Sequence, residues 1–240
     1  MRQFLFIMFA VTIGLGCFAQ GNNGSIYDDF GYTNKKPKVN ALYVGPTLGA
    51  TMTTASGQPK GYDLFDGAGI GFSGGAAIRA RFGKATPNSP VGTGFFGVGL
   101  DIKYKLNGVK TKATENLSLG YLEIPVIVQY YPLAKTTSGN GFFIEAGPDF
   151  ALLMSKSPDK LRLELNEPYP GLRAIEYLTG DLKGGDLRVA LGLGYNVPKM
   201  GLVVNARYYL GMSELSKNAL PTKLNTAELS LSWLFKTLTF

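Results

Sequence analysis

The sequence predicts an all-β fold, an eight-stranded antiparallel up-and-down transmembrane β-barrel, and three observations predict it. Eight runs between Ala41 and Phe235 alternate apolar residues with small or charged ones, and within each run the charges keep to one parity. A period of two belongs to a β-strand with unlike faces. Residues 1–19 read as a secretory signal: Arg2 carries the charge, residues 4–15 are apolar, and Cys17-Phe18-Ala19 is a small-x-small site before Gln20. No later run reaches the roughly 18 uninterrupted apolar residues that a membrane helix needs. A mature protein in a membrane would therefore cross it as strands.

Residues 20–40 are polar, rich in Gly and Asn, and carry Lys35-Lys36-Pro37-Lys38; they read as a disordered periplasmic lead-in to a barrel over 41–240. The first strand falls at 41–53, with Leu42, Val44, Leu48, Ala50 and Met52 on one parity. The second, 69–82, sets Ile70, Phe72 and Ile78 against Arg79 and Arg81. The third, 95–106, sets Phe96, Val98, Leu100, Ile102 and Tyr104 against Asp101, Lys103 and Lys105. The fourth, 119–131, sets Leu122, Ile124, Val126, Val128 and Tyr130 against Glu123 and Gln129. The fifth, 142–154, sets Ile144, Phe150 and Leu152 against Glu145 and Asp149. The sixth, 187–197, sets Val189, Leu191, Leu193 and Tyr195 against Arg188. The seventh, 202–212, sets Val204, Ala206, Tyr208 and Leu210 against Asn205, Arg207 and Tyr209. The eighth, 227–235, sets Leu229, Leu231, Trp233 and Phe235 against Glu228 and two serines.

Connections after the second, fourth and sixth strands are Pro/Gly turns, and the others are polar, with 155–185 much the longest. Short turns on one side and long loops on the other are the habit of outer-membrane barrels, and with both termini inside they put the turns and termini in the periplasm. Within the long loop, Leu161, Leu163 and Leu165 alternate with Arg162 and Glu164 ahead of a Pro168–Gly171 turn, and 172–178 can return antiparallel. That predicts a hairpin projecting beyond the membrane, too short and too charged to add a spanning pair.

Alternation alone does not say which face meets lipid, since a soluble ligand-binding barrel has the same period in the opposite sense. The polar parity is crowded with glycine (Gly69, Gly71, Gly75, Gly97, Gly99, Gly147, Gly192, Gly194), which suits a narrow lumen better than a water-washed surface. Aromatics on the apolar parity gather at one end of the strands. Phe82, Phe96, Tyr130, Phe142, Tyr195, Trp233 and Phe235 all adjoin the short turns or the C-terminal end, as a membrane-interface girdle requires. Lipid therefore lies outside. The lumen then holds Arg79, Arg81, Lys103, Lys105, Arg188 and Arg207 with Asp101, Glu123, Glu145, Asp149 and Glu228, signs that can pair through charge-assisted hydrogen bonds. Eight strands leave an interior that side chains fill, so the expectation is a plugged barrel.

The chemistry is defined by what is missing. The 240 residues include no histidine, which removes the usual general base and the commonest metal ligand. Cys17 is the only cysteine, and Gly14-Leu15-Gly16-Cys17 fits a lipidation site only loosely; cleavage after Ala19 leaves a mature chain without one. Zinc and copper sites, disulfides and catalytic residues are not expected, nor is any cofactor. Gly69-x-Gly71-x-x-Gly74 matches a dinucleotide fingerprint by letter but lies within a strand with no helix after it. The net charge of +7 is scattered and has no basic cluster interleaved with aromatics, so nucleic acid is not a partner. Glu123 and Glu145 could face each other as a carboxylate pair, though salt bridges with Arg79, Arg81 or Lys103 are the plainer use. Asp159, Glu164, Glu167, Glu176 and Asp181 dot the long loop without EF-hand spacing.

The run Tyr121-Leu-Glu-Ile-Pro-Val-Ile-Val-Gln-Tyr-Tyr131 resembles the central signature of the PorT-type outer-membrane β-barrel domain of Bacteroidota. Phe143-Ile-Glu-Ala-Gly-Pro148, Leu191-Gly-Leu-Gly-Tyr195 and Ala206-Arg-Tyr-Tyr-Leu-Gly-Met212 resemble its later strands in order. The resemblance implies a family of small barrels whose namesake branch takes part in export by the type IX secretion system; nothing places this chain in that branch. Phe240 is a terminal aromatic of the kind that barrel-assembly machinery reads during insertion. Leu238 and Phe240 nevertheless sit on the opposite parity to Trp233 and Phe235, so either a bulge near Lys236 resets the register or the strand stops at Phe235. The functional expectation is a non-enzymatic anchor or accessory subunit among outer-membrane lipids, presenting loop 155–185 to a protein partner in, for example, a secretion or assembly complex. The alternatives are a narrow channel for small solutes and a lipid-modifying enzyme.

Overall fold

The computed structural model describes residues 40–57, 65–83, 94–112, 115–134, 141–158, 160–164, 174–178, 182–197, 200–215 and 222–240. The signal and lead-in readings, Cys17, the Pro168–Gly171 turn, Asp159, Glu167 and Asp181 lie outside them. The described strands are β1 (Ala41–Ser56), β2 (Ala68–Arg81), β3 (Phe96–Val109), β4 (Leu117–Tyr130), β5 (Phe142–Ser157), β6 (Lys160–Glu164), β7 (Ala174–Leu178), β8 (Gly185–Val197), β9 (Leu202–Gly211), β10 (Lys223–Trp233) and β11 (Phe235–Thr239).

Each of β1 to β5 pairs antiparallel with the next, β5 pairs with β8, and β8, β9 and β10 follow in turn. β1 then closes the sheet on itself, pairing with β10 from Thr47↔Ser232 to Ser56↔Lys223 and with β11 at Val44↔Phe235. β10 and β11 are two parts of one stave, so the chain is a closed antiparallel barrel of eight staves. Closure leaves no sheet edge unpaired, which a strand protein in hydrocarbon requires. β6 and β7 form their own two-stranded sheet, from Lys160↔Leu178 to Glu164↔Ala174, apart from the barrel ladder.

At the C-terminal end the ladder runs Tyr43↔Lys236 and then Leu42↔Leu238, passing over Thr237. This bulge turns Leu238 onto the outward face of Leu42, and the strand continues to Thr239. The parity conflict in the sequence is thus resolved by one extra residue.

Strand ends at the turn side fall within about a residue of the sequence reading, apart from the eighth, which runs on from Phe235 to Thr239, whereas six staves run two to four residues further at the loop side. The reason is a reversal of polarity there. Val109, Leu117, Leu119, Tyr121, Leu215 and Leu224 are buried together inside the loop end, so the interior becomes apolar where the alternation rule expects polar residues.

The glycines of the polar parity answer to backbone crowding as well as to lumen space. A Cβ on Gly71 would collide with the Leu106 carbonyl, and one on Gly75 with the Ile102 carbonyl, where β2 coils tightly against β3. Outward-facing Gly74 would meet only the flexible tip of Leu48, at 3.2 Å. Gly75→Val is therefore expected to abolish the compact, heat-modifiable form of the refolded protein on unboiled gels, while Gly74→Ala preserves it. A Gly75→Val protein that refolds in full would contradict the packing.

Candidate functional site: a lumen closed by ion pairs

Alternation along each strand sends one set of side chains inward, and barrel closure brings sets from non-adjacent strands into contact. Arg79, Arg81, Asp101, Lys103, Glu123, Glu145, Asp149, Arg188, Arg207 and Glu228 are all buried in the lumen, as is Lys105. Their contacts form two tiers.

In the tier nearer the turns, Asp101 receives hydrogen bonds from Arg79 and from Arg207 Nη1, the latter at 2.9 Å. Arg207 Nε donates to Glu145 at 2.6 Å, and Glu145 also accepts from Asn205 (2.7 Å) and Gln129 (3.0 Å). In the second tier, Lys103 Nζ donates to both oxygens of Glu228 (2.7 and 3.0 Å) and to the Tyr209 hydroxyl (2.9 Å). Lys105 Nζ lies 2.5 Å from Glu123 and 2.9 Å from Glu228, over the face of the Tyr209 ring. Arg188 reaches Glu123 at 2.5 Å and Asp186 at 2.6 Å.

Topology gives these distances their meaning. Going either way round the barrel, β3 and β9 are four staves apart, which makes them diametrically opposite. Asp101–Arg207 and Lys103–Tyr209 therefore each span the whole lumen, at 2.9 Å. Each tier is thus bridged from wall to wall. Below them, Tyr131, Phe143, Ala77, Val203 and Leu234 cluster at the turn end, with the Arg81 guanidinium stacked 3.6 Å from the Tyr131 ring centre. Ion pairs occupy the middle of the barrel interior and apolar clusters lie at its two ends.

Several details differ from the sequence reading. Glu123 and Glu145 are not opposite each other: Glu123 pairs in register with Ala151, and Glu145 with Gln129. Parity fixes the face a residue points to, but register depends on barrel stagger and on the irregularity at Gly120/Tyr121. Their cations are Lys105, Arg188 and Arg207 rather than Arg79, Arg81 or Lys103. Arg81 pairs with no carboxylate among the described residues and instead stacks on Tyr131 and donates to the Gly94 carbonyl at 3.2 Å. Asp149 is buried beside Arg188, yet neither of its oxygens has a hydrogen-bond partner among the described residues. Tyr209 and Asp186 join the network without having been expected in it; the signal for Tyr209 was its parity, shared with Arg207.

The outer face is the converse. Leu48, Met52, Ile70, Phe72, Val128, Leu193, Leu229 and Leu231 project outward, Ile70 with 81% of its surface exposed. On β1 the outward apolar positions run from Leu42 to Met52. About ten steps of ~3.4 Å, tilted by ~40°, give a band roughly 26 Å tall, against the ~25 Å of outer-membrane barrels. Phe82, Phe96, Tyr130, Tyr195, Trp233 and Phe235 are exposed at the turn-side edge of this band, with Phe142 half-buried among them. Phe96 contacts Tyr130 with ring centres 5.4 Å apart, and Trp233 stacks on Phe235 at 5.6 Å.

Residues 18–217 match the family model described as outer membrane protein beta-barrel domain. The chain belongs to this family. Outer-membrane barrel domains are integral to that membrane, and the apolar band is accordingly the surface that meets lipid. Among solved structures, the chain is similar to Neisserial surface protein A (16% identity, TM-score 0.41, covering 82% of this chain and 97% of that one). It is also similar to Ail of Yersinia pestis, solved with the heparin analogue sucrose octasulfate (14%, 0.43, 81% and 99%). A third is OprG of Pseudomonas aeruginosa (11%, 0.41, 83% and 98%). No curated protein matches the chain.

Proposed function

We propose that the protein is a non-enzymatic outer-membrane anchor or accessory subunit whose loop end, led by the β6–β7 hairpin, engages a protein partner such as a secretion or envelope-assembly complex. The observation that carries this reading is the pair of contacts spanning the lumen from β3 to β9: a barrel tied shut at its centre has its loops to offer rather than a pore. Among the described residues no group of three or more His, Cys, Asp or Glu side chains could hold a metal ion. The short turns and termini lie on the periplasmic side in this proposal, the aromatic ring from Phe82 to Phe235 sits at that interface, and the loops face outward. The ordered resemblance of residues 121–131 and the later strands to the PorT-type domain supports a place in that family of small barrels, without assigning the chain to its namesake branch.

Two measurements test it. Planar-bilayer recordings should show no large, stable, ion-selective conductance, and such a conductance would replace the anchor with a narrow channel. Affinity capture from solubilised envelopes should recover a partner with the native chain and lose it when residues 160–178 are replaced by a short Gly/Ser turn. Recovery of the native protein reproducibly alone would overturn the proposal.

A further inference from the structure

The lipid-facing surface has a depression that neither lumen nor loops explain. Ala227 of β10 stands between Met52 of β1 and Tyr208 of β9, and the next outward residue, Leu229, stands between Ala50 and Ala206. The small side chain of Ala227 opens a groove of about 770 Å³, with Ile70 and Met52 along one wall, Leu191 and Tyr208 along the other, and Leu229 standing between Ala50 and Ala206 at its turn-side end.

Directly beyond the groove, toward the loops, the outward face turns polar and carries charge. Outward positions on β10 continue from Ala227 to Asn225 and Lys223, about 7 and 14 Å further along the strand. Asn225 Nδ2 donates to Ser56 Oγ at 3.0 Å, Asn225 Oδ1 accepts from the Gly211 amide at 3.1 Å, and Ser56 Oγ donates to the Lys223 carbonyl at 3.4 Å. These groups are held against the strand surface, at the edge of the apolar band. Lys223 has no acidic partner among the described residues. An apolar trough floored by Ala227 and ending under a cation and fixed hydroxyl and amide groups complements a lipid with an acyl chain and an anionic head.

We infer that this groove binds one molecule of phosphorylated, acylated glycolipid of the lipid A type, with an acyl chain over Ala227, between Met52 and Tyr208, and a phosphate at Lys223. The choice of glycolipid over phospholipid rests on the orientation proposed above, which puts the loop-side edge in the cell-surface leaflet, where outer membranes carry phosphorylated glycolipid. A chain lying in the groove gains contact on both sides as well as beneath.

Native mass spectrometry of the full barrel in detergent, titrated with purified lipid A, phosphatidylglycerol or phosphatidylethanolamine, tests the inference. One lipid A should be retained per barrel. Lys223→Gln should weaken retention about fivefold, the effect of one lysine on an anionic lipid surface. Ala227→Phe, which fills the groove without touching the charge, should weaken it at least as much. Unboiled-gel mobility shows that each variant is folded, and Lys236→Gln, on β11 at the turn end of the barrel, should bind as the native chain does. No retained lipid, retention unaffected by either substitution, equal or better retention of phosphatidylglycerol, or a second copy of the chain occupying the face would each overturn it. Protease access to intact cells reads orientation separately, so a failure of the groove and a failure of the orientation are distinguishable.

Discussion

Glu228→Leu should lower the unfolding free energy of the barrel by about 3–5 kcal/mol, the usual cost of stranding a buried charge. Glu228 takes both Lys103 and Lys105 and accepts a hydrogen bond from Ser73 at 3.0 Å. Without it two ammonium groups share the lumen, and Lys103 keeps only the Tyr209 hydroxyl among its hydrogen-bond partners. Lys105 retains Glu123, so the loss is concentrated on Lys103. A second change, Lys103→Met, should therefore recover a large part of the stability, and a double-mutant cycle of urea unfolding in detergent measures the coupling. The pair does not need to be a net stabiliser against an apolar replacement; the account requires only that half of it be worse than all or none. A Glu228→Leu protein that unfolds at the same urea concentration as its parent would contradict the network.

The second large effect is on the outside and depends on depth. Leu229 lies near the middle of the apolar band, between the Trp233–Phe235 stack at one edge and Asn225 at the other, and 61% of its surface is exposed. Leu229→Arg should cost about 2–4 kcal/mol in refolding into bilayers, whereas Asn225→Arg at the edge should cost about 0–1 kcal/mol. Refolding titrations in vesicles give both numbers. Equal costs at the two positions would mean that this face does not meet hydrocarbon. An ordinary soluble surface would accept either arginine.

The architecture was legible because one rule, side chains alternating across a strand, acts at every residue of a barrel. It placed Arg79, Lys103, Glu123 and Arg207 inside and Leu48, Val128 and Leu229 outside without reference to any neighbour. It stopped short where the environments change. At the loop end of the barrel, Val109, Leu117 and Leu119 turn inward to make a small apolar core, so a reading that equates inward with polar cuts β3 and β4 short there. Pairing partners were out of reach for a different reason. Asp101 meets Arg207 because the sheet closes through eight staves, and Glu123 misses Glu145 because stagger and an irregularity set the register; neither is a local property of the sequence. The glycines show a mixed outcome. Their parity pointed to the lumen, but at Gly71 and Gly75 the controlling contact is a carbonyl of the next strand. The C-terminal parity conflict was visible as a conflict, and the bulge at Thr237 is what settles it.

The central claim is that the alternating faces of these strands meet hydrocarbon outside and a packed ionic lumen inside. The most direct test is a nitroxide scan along β10 from Asn225 to Trp233, in a Cys17→Ser background reconstituted into vesicles, with collision rates measured for oxygen and for a water-soluble nickel chelate. The account predicts a period of two. Oxygen access peaks at Ala227, Leu229, Leu231 and Trp233, deepest at Leu229, while Glu228 and Ser230 are shielded from both reagents. Peaks of nickel-chelate access at Leu229 and Leu231, or free access of the chelate to Glu228 and Ser230, would contradict it.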